Sequence, residues 1–123
     1  MGIRLIKISV VYFAIGVCLG LYMSIVHSYT LSSVHAHINL LGWASLAIAG
    51  VIYYLFPQIT TNALGKTHFW LHNISLPIMM LGLAFVVHGN ESFVPLVATG
   101  GVVLVIAILL FAMNVLFNVK QSS

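Results

Sequence analysis

Four apolar runs, each about twenty residues long, divide this chain: Leu5 to Val26, Val34 to Phe56, Phe69 to Val87 and Phe93 to Phe117. A helix rises about 1.5 Å per residue, so each run matches the roughly 30 Å hydrocarbon core of a bilayer. Short polar breaks separate them: His27-Ser28-Tyr29-Thr30, the Pro57 to Thr67 loop, and His88-Gly89-Asn90-Glu91-Ser92. Of 123 residues, 62% are hydrophobic and 4% charged, against roughly 25% charged in a soluble domain. A chain this short has too much surface to hide such a composition from water. The sequence therefore predicts an all-α membrane protein, a single domain of residues 1–123 with four transmembrane helices in contact with lipid. Ser32 or Ser33 is the expected cap of the second helix, and Pro77 is expected to kink the third.

The net charge of +3 rests on four cations and one acid. That is too sparse for a nucleic-acid footprint, so no nucleic-acid partner is expected. With four spans, the amino terminus, the Pro57 to Thr67 loop and the carboxyl terminus share one side. Arg4, Lys7, Lys66 and Lys120 all fall there, and Glu91 falls opposite. Basic residues concentrate on the cytoplasmic side, which puts both termini in the cytoplasm and the protein in the inner (cytoplasmic) membrane. Arg4 and Lys7 before an apolar stretch resemble the start of a signal peptide. Ile8 to Val26 is longer than a signal's apolar core, and no small-residue cleavage site follows, so the stretch reads as a retained span. Tyr22, Tyr29, Tyr53, Tyr54 and Trp70 lie near run ends, where interfacial anchors are expected. Cys18, the one cysteine, excludes an internal disulfide and reads as a small buried residue.

Six histidines against one acid is an unusual balance. Polar groups inside a membrane are costly unless paired, so histidines in spans point to function. The orientation puts His27, His35, His37 and His88 toward the outer face, and His68 and His72 toward the cytoplasm. His35 and His37 are two positions apart, about 200° around a helix, so their rings diverge and cannot chelate one metal from a regular helix. They suit two sites on two faces. Asn39 follows His35 by four and shares its face. Gly42, Ala49 and Gly50 narrow that side for a neighbouring helix or a flat cofactor. His68 and His72 are four apart and share a face. The glutamate of a zinc protease is missing, since Phe69 stands there, so a surface or interhelical hydrogen-bonding role is expected of His68. Counting along the runs puts His72 about 20 Å from His37 in depth, too far to share an iron, which leaves His27, His88 or another copy's histidine as the partner.

The segment Val34-His35-Ala36-His37-Ile38-Asn39-Leu40-Leu41-Gly42-Trp43, running on to Tyr53-Tyr54-Leu55-Phe56-Pro57, resembles the tenth helix of the catalytic subunit of haem–copper oxidases. It is most similar to the cbb-type cytochrome c oxidases and nitric oxide reductases. His68-Phe69-Trp70-Leu71 is similar to the start of their eleventh helix. The resemblance covers the family's last four helices and implies that His35 ligates a high-spin haem and His37 a low-spin haem. The family's copper site and its second low-spin ligand come from helices this chain lacks, so one chain is not a complete oxidase.

The resemblance thus implies a small haem b-binding membrane protein, used in electron transfer or diatomic gas binding. His37 is the preferred axial ligand and His35 the second, with Asn39, Gly42 and Trp43 beside the cofactor and His88 or His27 as further iron ligands. The family's pseudo-threefold arrangement implies a homo-oligomer, with a trimer favoured, and a respiratory redox partner. Two alternatives stand beside this. One is a cofactor-free membrane subunit or assembly factor of a respiratory complex. The other is a copper- or zinc-binding membrane protein using the outer imidazoles. A transporter is disfavoured, because the spans lack charged residues.

Overall fold

The structure is a computed structural model and describes residues 1–120. Five α-helices follow in order: α1 (Gly2–Val26), α2 (Ser32–His37), α3 (Ser45–Leu55), α4 (Ala63–Val87) and α5 (Val94–Asn118). A π-helical segment, Ile38–Ala44, joins α2 to α3, and single 3₁₀ turns occupy Pro57–Ile59 and Glu91–Phe93. Because α2, the π segment and α3 are continuous, four helices are long and apolar enough to cross a membrane: Gly2–Val26, Ser32–Leu55, Ala63–Val87 and Glu91–Asn118. Arg4, Lys7, Lys66 and Lys120 gather at one end of the bundle, here the basic end. Glu91 marks the other, acidic end.

Local chemistry explains where the helices stop. His27 ends α1 in the left-handed region at φ 53°, and its N–H bonds back to Met23 O. Asn62 starts α4 by accepting the Gly65 N–H at 2.8 Å, the usual way to satisfy a free amide at a helix start. Gly89, at φ 95°, takes the chain out of α4; Asn90 N–H then bonds Phe85 O at 3.0 Å, six residues spanning the end as in a Schellman turn. The expected serine cap does not form: Leu31 is the capping residue of α2 and no side chain caps it. α4 continues through Pro77.

The Asn62 cap matters for depth. It starts α4 at Ala63, six residues before the apolar run that begins at Phe69. His68 is therefore well inside a helix, and both His68 and His72 are 1% exposed.

Helix α1 packs on the π segment and α3, α4 packs on α5, and the two pairs join where the second span meets α4. Leu5, Leu46, Ala49, Tyr53, Ile59 and Phe69 form a buried cluster toward the basic end. Val34, Ile38, Leu76, Met79, Met80 and Leu104 form a second toward the acidic end. The seam between α1 and α3 is very close. A Cβ added at Gly50 would stand 2.9 Å from Gly2 O, and one at Gly2 would stand 2.7 Å from Gly50 O. Only glycine permits that approach, as is common where helices meet in lipid.

Candidate functional site

At the acidic end, His35 lies between the second span and α1. Asn39 Nδ2 donates to His35 O at 2.9 Å and sits 3.3 Å from the ring's Nδ1. A Cβ at Gly20 would be 3.0 Å from His35 Cε1, and one at Gly16 would be 2.5 Å from Asn39 Oδ1. His35 and Asn39 thus share a face, as their spacing predicts, and that face is covered by α1. Gly42 continues the face under the Tyr12 ring, where a Cβ would meet Tyr12 Cγ at 2.5 Å. Trp43 stacks on Phe13 of α1 at 4.5 Å and 25°. Of the two occupants the narrow face suits, a neighbouring helix fills it.

His37 points elsewhere. Its Nδ1 lies 2.8 Å from Ser33 O. A carbonyl only accepts, so Nδ1 carries the proton and Nε2 keeps a free lone pair on a half-buried ring. His88 repeats this arrangement on an exposed ring, with Nδ1–H donating to Ala84 O at 2.7 Å. Histidines that bind metals hold their second nitrogen in this way. His27 is exposed at the end of α1. No three His, Cys, Asp or Glu side chains come together among the described residues, so one chain does not build the four-ligand shell of a closed zinc site. Cavities of about 190 to 260 Å³ elsewhere in the bundle are lined by residues other than His35 and His37.

The most complete polar arrangement is deeper in the bundle. Tyr53, His68 and His72 are each 1% exposed. Tyr53 Oη lies 2.7 Å from His68 Nδ1, His68 Nε2 lies 3.1 Å from His72 Nδ1, and His72 Nε2 lies 2.9 Å from Leu41 O. The end of the chain fixes its direction. Leu41 O can only accept, so His72 Nε2 donates and His72 Nδ1 accepts. His68 Nε2 must then donate, and His68 Nδ1 accepts the Tyr53 hydroxyl proton. Two neutral rings satisfy every contact. Phe111 packs on His68 with ring centres 4.8 Å apart, and a cavity of about 190 Å³ borders both rings beside Ser45 and Ala49.

An amide cluster lies below this chain, toward the basic end. Asn114, 0% exposed, donates to Ile59 O at 2.9 Å. Its Oδ1 accepts from Asn62 at 2.7 Å and from Asn118 at 2.9 Å. The cluster ties the connection before α4 to α5.

Of the surface or interhelical role expected of His68, the structure shows the interhelical one, to Tyr53, and burial of the ring overturns the surface one. The anchoring role expected of Tyr53 is corrected, since its ring is buried in the bundle, whereas Tyr54 is 61% exposed. The depth separation expected between His72 and His37 is also corrected. His72 meets Leu41, four residues from His37, which is about one helical turn or 6 Å. The run-based count placed the start of the third helix too late. The spacing of four between His68 and His72 was a usable signal for the chain; nothing local marks Tyr53 or Leu41 as its ends.

Comparison with models of known protein families, with curated proteins and with solved structures finds no match for this chain.

Proposed function

We propose that this is a multi-pass membrane protein that binds haem b at His37, with the haem held between copies of the chain. The observation that carries the reading is the state of His37. Its Nδ1–H is committed to Ser33 O and its Nε2 is free on a half-buried ring. Iron would take Nε2, while the carbonyl bond fixes the ring and raises its basicity. The His-x-His and His-Phe-Trp-Leu segments support the same reading by their resemblance to haem–copper oxidases. His88, with the same bonding pattern, is the preferred second ligand from a neighbouring copy. When bound, haem supplies a one-electron couple or a site for a diatomic gas. The residues of this chain orient the ligand and keep water away. The basic end faces the cytoplasm by the positive-inside rule, and a trimer fits the pseudo-threefold family arrangement.

The test is an absorption spectrum, with metal analysis, of the intact assembly purified from cells supplied with haem. A Soret band lost in His37→Ala and retained in Trp70→Ala is expected. No Soret band, or one unchanged in His37→Ala, refutes the reading. Copper or zinc in place of iron favours the metal alternative.

A cofactor-free packing role is the second reading. The cover of α1 over His35, Asn39 and Gly42 favours it. Clean spectra together with co-purified oxidase subunits would support it.

A further inference from the structure

We propose that His72 holds the second span in its π register and thereby sets the direction in which His35 and His37 face. Ser45 N–H donates five residues back, to Leu40 O. α-Helical bonding, four residues back, resumes with α3 at Ser45. Such a return skips one carbonyl, and here the skipped carbonyl is Leu41's. In lipid or a dry interior, an unpaired carbonyl is costly, with no water to satisfy it. His72 Nε2–H fills that vacancy at 2.9 Å from a neighbouring helix. The Ser45 hydroxyl donates to Leu40 O at 2.7 Å, so both carbonyls at the junction have side-chain donors.

The donor is itself held in place. His72 donates from Nε2 only while its Nδ1 accepts from His68, and His68 donates from Nε2 only while its Nδ1 accepts from Tyr53. The three buried side chains therefore present one N–H to one carbonyl. Tyr53 and Leu41 belong to the same span, so the chain bridges from α3 through α4 back to the π segment.

The consequence lies at the acidic end. A π segment carries in effect one residue more than the α-helix that would replace it, and one residue is about 100° of rotation. If the segment relaxed to α, the residues before it would turn by that amount relative to α3. Val34, now buried against α4, would leave the interface, and His35 would leave its place beside Gly20. Without the His72 donor, the skipped carbonyl favours that relaxation. The inference concerns the protein's own conformation and does not depend on a haem being bound.

The experiment uses full-length protein in lipid on a Cys18→Ser background, with nitroxide labels placed singly along positions 33 to 44 and their oxygen accessibility recorded. In the wild-type background, a label at Val34→Cys is expected to be shielded and one at Ala36→Cys open, with the period lengthened through 38 to 44. In His72→Phe the pattern should shift in phase by about 100°, exposing position 34. His72→Gln, which retains an N–H donor, should restore the wild-type pattern. An unchanged pattern in His72→Phe overturns the proposal. Should His72→Phe not fold, the wild-type scan still decides: an uninterrupted 3.6-residue period through 38 to 44 overturns it.

Discussion

Replacing Gly50 with alanine tests how tightly the seam between α1 and α3 is closed. The new Cβ would stand 2.8 Å from Ile6 Cγ1, 2.9 Å from Gly2 O and 3.0 Å from Ile6 N. Carbon contacts prefer about 3.5–4.0 Å. Two of the three obstructing atoms are backbone and cannot swing aside, so α1 must retreat by roughly 0.5–1 Å, which forfeits a quarter to a half of each contact along the seam. Overpacking of this kind costs about 1–3 kcal/mol. Alanine also favours a helix over glycine by up to about 1 kcal/mol, so a control with the same gain is needed. Gly101→Ala supplies it, because a Cβ there meets only Met79 Sδ, at an ordinary 3.6 Å. The difference between the two variants isolates the steric cost. In detergent unfolding followed by circular dichroism, the folded-to-unfolded ratio of Gly50→Ala should fall about 5- to 150-fold below that of Gly101→Ala, where tenfold corresponds to about 1.4 kcal/mol. Equal unfolding of the two variants refutes the close backbone approach.

Three further outcomes are expected. Nitrogen-15 spectra of His68 and His72 should show both rings neutral with the proton on Nε2, and Tyr53→Phe should cost about 1–3 kcal/mol by stranding His68 Nδ1; an Nδ1–H signal from His72 would break the assigned direction. Asn114→Leu should destabilise the fold by about 1–3 kcal/mol, since Ile59 O, Asn62 and Asn118 all lose a partner. Unfolding unchanged from wild type would show that the amide cluster does not tie α5 to the connection before α4.

Much of this molecule is dictated by sequence, for reasons that are local. Runs of apolar residues without charges must form helices, because only a helix satisfies its own backbone away from water. The breaks at His27 to Thr30 and at Gly89 end them wherever the chain needs polar groups or a positive φ. The divergence of His35 and His37, and the shared face of His35 with Asn39, follow from the angle per residue. So does the pairing of His68 with His72.

Other features depend on what lies across the bundle. Asn62 caps α4 early, at Ala63, and His68 then lies deep enough to meet Tyr53. Two adjacent tyrosines look equivalent in the chain, yet Tyr53 is buried under His68 and Phe111 while Tyr54 faces outward. The π segment of Ile38–Ala44 is a further such feature. It exists where a histidine from another helix can occupy a carbonyl that the ladder skips, and sequence spacing carries no record of that contact.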